Sequence, residues 1–372
     1  MQEEKNALDI PGNAGQNFPQ LLRQLRKEKD VSLAQLAAEL MEVSQLARIE
    51  RDQRPENKNL RDRLLGRLGI ASDLYETLLN IEDYTTWEQQ REILCAIKRK
   101  AFLEAQELIA VYEQQKPGAD RDRIKRQFCL VMRAESLRQQ GAAEDDIGAC
   151  YEEAVLLTVP DAECLDTTGR LLAVQEVNMI LEYWYYHKGA DFLDRCKKLL
   201  AFVDNAVYDA ASRTKIYPKI VVYYLRELLL IHKEQKAVDL SEGIAISNRA
   251  LEILHENKKT YYLSELLDLN HKLAQCMGNP EAAALSARYC REDMELSCMQ
   301  DCVYLYEQRQ VLYIGDMLQC RRKLYGLSRQ ELCAGICSEK TLRRAERMQT
   351  DMQRRVQNAL MERLDLLNTC RE

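Results

Sequence analysis

Turn formers are scarce in this chain, with 14 Gly and 7 Pro in 372 residues. Collagen-like repeats and flexible low-complexity linkers are thereby excluded. β-Branched runs are scarce too, whereas Leu, Ala, Glu, Gln, Arg and Lys dominate, a bias toward helix over sheet. There are only 4 His, and the 13 Cys contain no Cys-x-x-Cys, so zinc-ribbon and thioredoxin-type spacings are missing. Cys298/Cys302 and Cys333/Cys337 are i,i+4 pairs on predicted helices, read as buried thiols in a reducing cytosol. No apolar stretch approaches the ~20 residues of a membrane span, and the opening MQEEKNALDIPGNAGQN has no apolar core to act as a signal peptide. A cytoplasmic location follows as the expectation. No phosphate loop, nucleophile motif or His-rich metal spacing is present, so no enzymatic activity, no metal and no cofactor is expected.

What is present is enough apolar material for packed cores: 46% of residues are hydrophobic. The composition predicts an all-α fold. The net charge of −6 is unevenly spread. Residues 18–67 hold 11 Lys/Arg against 8 Asp/Glu, residues 314–363 hold 11 against 6, and residues 68–313 hold 29 against 40. An acidic body with basic ends suits contact with a polyanion at the ends.

Those basic ends are related. The segment FPQLLRQLRKEKDVSLAQLAAELMEVSQLARIERDQR from Phe18 recurs, weakened, as IGDMLQCRRKLYGLSRQELCAGICSEKTLRRAER from Ile314. At a constant offset of 296, Leu22/Leu318, Arg26/Arg322, Ser32/Ser328, Leu36/Leu332, Leu46/Leu342, Arg48/Arg344 and Glu50/Glu346 are identical.

In the first copy, Pro19 sits where a missing N–H costs nothing in a helix. Leu21, Leu22 and Leu25 form an apolar stripe. Asp30-Val31 interrupts it, and Ser32-x-x-Gln35 is a capping box that opens a second helix packing through Leu33, Leu36, Ala37 and Leu40. A short turn over Met41 and Glu42 leads to a third helix from about Val43, packing through Leu46 and Ile49. Short helix, tight turn and second short helix form the pattern of a helix-turn-helix. The segment resembles the Xre/Cro-type helix-turn-helix of phage-like repressors. In that family an Arg late in the first helix pairs with a Glu late in the recognition helix; Arg26 and Glu50 hold those positions here, as do Arg322 and Glu346. Asp52 stands where the family usually has Gly. Outward residues of the third helix are expected to meet double-stranded DNA, with Gln45 and Arg48 suited to adenine and guanine edges. Gln35, Ser44, Arg51 and Arg54 are expected at phosphates. The second copy carries Glu331 in place of Gln35, a negative charge where a phosphate would approach, and Ala345 in place of Ile49, which is expected to thin the core. A structural or dimer-forming role is expected for it ahead of the alternative, a second DNA reader, which the basic face of Lys340, Arg343, Arg344 and Arg347 would suit.

Between the copies, breaks at 116–118, Gly141, Pro160, Gly189, Glu234 and 278–280 predict helix pairs. Ala154, Leu199 and Ala250 recur every 45–50 residues on similar second-of-pair helices. The spacing exceeds the 34 residues of a standard tetratricopeptide repeat, but the residue types resemble that solenoid. Aligned on their terminal breaks, the first-of-pair helices place Leu130 and Arg133, Asn178 and Leu181, Tyr223 and Arg226, and Leu267 and Asn270 on one side. Asn178 and Asn270 offer donor and acceptor to a peptide backbone, Tyr223 accompanies them, and Arg126, Arg133 and Arg226 suit a peptide carboxylate. The aromatic run Tyr183-Trp184-Tyr185-Tyr186 reads as packing.

The expected layout is a tail over 1–17, a DNA-binding domain over 18–82, a helical repeat domain over 83–313 and a helix-turn-helix-like unit over 314–372. This order resembles the peptide-responsive quorum-sensing regulators of the Rgg and PlcR type, from which it departs in the second C-terminal unit. The resemblance implies a homodimeric transcription factor whose repeat domain binds a short peptide. The competing reading is a repeat scaffold for protein partners with structural ends.

Overall fold

The computed structural model describes residues 18–71, 78–114, 119–206, 208–234, 239–298 and 312–364. The tail over 1–17, the break at 116–118 and Cys302 lie outside them. The fold is all-α, with eighteen helices among the described residues. One feature departs from pure helix: Leu78–Leu79 (β1) pairs in parallel with Leu312–Tyr313 (β2). Two residues per strand left no periodic signal in the sequence.

The first unit holds α1 (Phe18–Glu28), α2 (Leu33–Ala37), α3 (Val43–Glu50) and α4 (Lys58–Arg67). Leu22, Leu36, Leu46, Ile49 and Leu64 are wholly enclosed in its core. Ser32 Oγ accepts from the Gln35 N–H at 3.1 Å, closing the expected cap of α2. Asp52 ends α3 in the left-handed region at φ 58°, a conformation that Asp tolerates better than most residues.

The array follows as helix pairs: α5 (Ile81–Lys98) with α6 (Phe102–Gln114), α7 (Ala119–Gln140) with α8 (Glu144–Leu156), α9 (Val174–Tyr186) with α10 (Phe192–Asn205), α11 (Ala210–Lys233) with α12 (Leu240–Glu256), and α13 (Leu263–Cys276) with α14 (Pro280–Cys298). Gly141 closes α7 at φ 71°, a left-handed position that favours Gly. Ala154, Leu199 and Ala250 are fully buried where neighbouring pairs stack. Of the aromatic run, Tyr183 and Trp184 are core residues, and Trp184 Nε1 donates to the Ala162 carbonyl at 2.8 Å.

The second unit repeats the first almost residue for residue. Its helices are α15 (Ile314–Leu324), α16 (Arg329–Cys333), α17 (Glu339–Ala345) and α18 (Arg354–Arg363). Shifted by 296, the bounds of α1, α2 and α4 coincide with those of α15, α16 and α18, and α17 ends one residue short. Even the left-handed residues correspond: Asp30, Glu39 and Asp52 map onto Gly326, Gly335 and Met348. Ala345 is fully buried in this core beside a large aromatic neighbour. The Tyr313 ring is buried there, its hydroxyl donates to the Ala345 carbonyl at 2.8 Å, and only a Gly fits at 315 between them.

Candidate DNA-reading head and the cavity beneath it

The geometry of the first head is fixed from inside. Arg26 Nε and Nη2 donate to the two Glu50 oxygens at 2.6 and 2.8 Å, and Nη1 donates to the Val31 carbonyl at 2.8 Å. This fork ties the end of α1 to the end of α3 and holds the turn into α2. Arg322 makes the matching set with Glu346 and the Leu327 carbonyl.

Ser44, Arg48 and Arg51 are exposed on and just beyond α3, and no carboxylate among the described residues pairs with Arg48 or Arg51. Arg54 is half-buried. The two glutamines are partly engaged. Gln45 Oε1 accepts from the Glu42 N–H at 3.3 Å, which turns the amide toward its own helix start. Gln35 Oε1 accepts from the Ser32 N–H at 3.0 Å, and its Nε2 donates across to the Gly169 carbonyl of the array at 3.3 Å.

That last contact belongs to a wider seam through which the head lies on the array. Arg67 carries most of it. Its Nη1 donates to the Leu36 and Ala38 carbonyls at the end of α2, while Nε and Nη2 grip Glu176 of α9 at 3.0 and 2.8 Å. Arg63 reaches the same carboxylate at 3.2 Å. Burial by itself would raise the Glu176 carboxyl; Arg67 and Arg63 outweigh it and bring it down to about 2. Beside them Gly66 meets Ala173 so closely that an added Cβ would stand 2.9 Å from the Ala173 Cβ. Asp209 completes the seam: its N–H donates to the Gly69 carbonyl at 2.6 Å, and its carboxylate accepts from the Ala71 N–H at 2.8 Å.

Helix α4 thereby roofs a cavity of about 360 Å³ over the concave face of α7, α9 and α11. Five carboxamides line it: Asn59, Gln90, Gln127, Gln175 and Asn178. Gln127 is buried, its Nε2 donates to the Ala154 carbonyl and Thr158 Oγ1 at 2.8 Å, and its Oε1 is left without a partner among the described residues. Lys219 also lines the cavity and donates to Asn178 Oδ1 and to the enclosed Glu182 carboxylate. Glu182 further accepts from Tyr223 Oη at 2.8 Å and from Arg138. Burial opposes its ionisation, but Lys219 and Arg138 prevail and hold it below the usual carboxylate range.

Of the six residues expected at a ligand, the structure brings Asn178 alone into this cavity. Tyr223 stands behind it, its hydroxyl committed to Glu182. Arg126 pairs with Glu153 and Arg133 with Glu113, each reaching a neighbouring helix rather than the roofed space. Arg226 is exposed, its guanidinium 6.0 Å from the Tyr223 ring centroid. Asn270 is buried in α13, outside the cavity lining. Breaks in the chain gave the helical register but not where the head would lie, so residues on one face of the array came under different neighbours. Glu176, Glu182, Lys219 and Arg138 escaped the sequence reading. Their signal was faint: charges on otherwise apolar helix faces, such as Glu182 within VNMILEYWYY.

No family model matches the chain, and no curated protein matches it. A solved structure similar in coarse layout is that of Bacillus thuringiensis PlcR in complex with the peptide PapR7 and DNA. The two share 11% identity and a TM-score of 0.42, over 78% of this chain and 99% of that one. No helix among the described residues is long and apolar enough to cross a membrane.

Proposed function

We propose that this chain is a sequence-specific DNA-binding regulator of transcription whose helical array senses a ligand, a short peptide, beneath the DNA-reading head. The observation that carries the reading is α4. One helix is core to the head, through Leu60 and Leu64, and roof to the cavity, through Asn59, Asp62 and Arg63. Whatever occupies the cavity touches the head directly, so a ligand with different affinities for docked and undocked heads shifts their balance. The carboxamide lining favours a peptide, because a peptide backbone presents donors and acceptors in alternation. The volume is at the small end of ligand sites, which run from ~300 to ~1,000 Å³, and so suits a few residues or one end of a peptide. The head reads DNA through Arg48, Ser44 and Arg51, with Gln45, Gln35 and Arg54 at its margins. As in other helix-turn-helix proteins, a homodimer would match a two-fold operator.

One experiment tests both halves. Duplexes enriched from a random pool by the full chain are titrated by fluorescence anisotropy, with and without a mixed library of short synthetic peptides. Arg48→Ala is expected to weaken binding about tenfold to a hundredfold, the loss of one good base contact at ~1–3 kcal/mol. Asn178→Ala is expected to keep DNA affinity but lose the response to peptide. Unchanged affinity in Arg48→Ala removes the head assignment, and an unchanged peptide response in Asn178→Ala removes the cavity.

A further inference from the structure

The second helix-turn-helix unit carries a reading face of its own. Shifted by 296, Ser44 becomes Lys340, Arg48 becomes Arg344 and Arg51 becomes Arg347. All three are exposed, and no carboxylate among the described residues pairs with them. The outward side of α17 is thus more basic than that of α3, on a backbone that matches down to its left-handed residues. The charge that seemed to argue against DNA has a local use. Glu331 Oε2 accepts from the Ser328 N–H at 2.7 Å, the same capping bond that Gln35 makes in the first unit.

The two units are also held together at one place. The first turn of α5 touches both: the start of α4 in one unit, and in the other the stretch joining α17 to α18 and the residue before α15. On one side Asp83 accepts from the Lys58 N–H at 2.8 Å and pairs with Arg61. On the other, the Ile81 N–H donates to Asp351 at 2.8 Å, and Tyr84 packs 6.2 Å from the Tyr313 ring. Burial pushes the Glu56 carboxyl, just before α4, up; the charges of Arg61 and of Arg354, at the start of α18, oppose that. A unit of about 50 residues has a radius of gyration near ~10 Å. Two of them in contact sit with centres roughly 25 Å apart, shorter than but of the same order as the ~34 Å of one DNA turn that separates paired half-sites.

From this we infer that the C-terminal unit is a second DNA-binding head, and that one chain grips duplex DNA with both units as an internal pair. The partner is double-stranded DNA, met by Lys340, Arg344 and Arg347. The inference rests on the reading of the first head as DNA-binding, and matched variants separate the two. Arg344→Ala/Arg347→Ala and Arg48→Ala/Arg51→Ala remove the same positions from each unit of the full chain. The probe is a fluorescein-labelled mixed-sequence duplex of about 40 bp, long enough for both heads, titrated over a range of salt concentrations. Each phosphate contact contributes ~0.9 to the slope of log K against log salt. Each double variant is expected to lower that slope by about 1, from the phosphate contact of Arg51 or Arg347, and to weaken binding, with the fold unchanged by circular dichroism. If the Arg48/Arg51 variant loses slope and the Arg344/Arg347 variant does not, the second head is refuted and the first stands. An Arg344/Arg347 variant that leaves DNA binding intact but shifts the oligomeric state would mark α17 as a contact between chains, and also refutes it. If neither variant changes the slope, the DNA-binding reading fails for both.

Discussion

At the scale of single residues, the same side-chain type does different work according to what surrounds it. Arg67 and Arg363 occupy equivalent positions, and both donate to carbonyls at the end of the second helix of their unit, Leu36 and Ala38 in one, Leu332 and Ala334 in the other. Only Arg67 also meets a buried carboxylate, Glu176. Because that carboxyl is depressed from 4.5 to about 2, its contribution to stability is complete above pH 4.5. It is lost as the pH falls toward 2. The loss is on the order of 3 kcal/mol at ~1.4 kcal/mol per pH unit. Urea midpoints measured across this window should fall for the wild type. In Glu176→Gln the fall should be shallower, from a neutral-pH stability already lower by about 3–5 kcal/mol, since two buried arginines lose their counter-charge. Equal slopes in the two proteins would show that Glu176 does not hold the seam.

At the scale of elements, α4 and α18 show how one helix pattern serves two ends. Their inner faces agree: Leu60, Leu64 and Leu65 correspond to Val356, Leu360 and Met361. Their outer faces do not. Arg63 and Gly66 of α4 are buried on the array, where α18 has Ala359 and an exposed Glu362. Gly66→Leu should therefore wedge α4 off Ala173 while leaving the head folded. Overpacking of this kind costs about 1–3 kcal/mol, so hydrogen exchange at the Ala71 and Asp209 amides should rise roughly tenfold or more. Exchange in α3 should stay as it was; a parallel rise there would mean that head and array open as one. The inner faces were legible in the sequence because a core demands apolar residues at helical spacing. The docking face was not. Arg63 is a charge with no partner nearby in the sequence until α9 supplies the acid that neutralises it.

At the scale of the whole molecule, the first turn of α5 joins two basic heads to an acidic array. Tyr84 is the centre of that joint on the C-terminal side, where it packs with Tyr313, Ile314 and Trp87. Tyr84→Ala should cost on the order of 3–5 kcal/mol, as for other buried aromatics. Hydrogen exchange should rise in α15 and α18 and remain unchanged in α2 and α3. Equal loosening of both heads would show that α5 is not an independent anchor for each.

Local demands were written plainly along the chain. Apolar spacing, capping boxes at Ser32 and Ser328, and the Arg–Glu pairs at a common offset determined two helix-turn-helix units and a helical array between them. Each of these is satisfied within about 50 residues, so the pattern is complete in the sequence that carries it. Where the heads lie was decided by contacts between distant segments: Arg67 with Glu176, Leu78–Leu79 with Leu312–Tyr313, and Ile81 with Asp351. A lone charge or a two-residue strand has no period to read, and its meaning depends on a partner more than 100 residues away. The cavity under α4 arises the same way, as space enclosed by helices that meet only once the chain has folded.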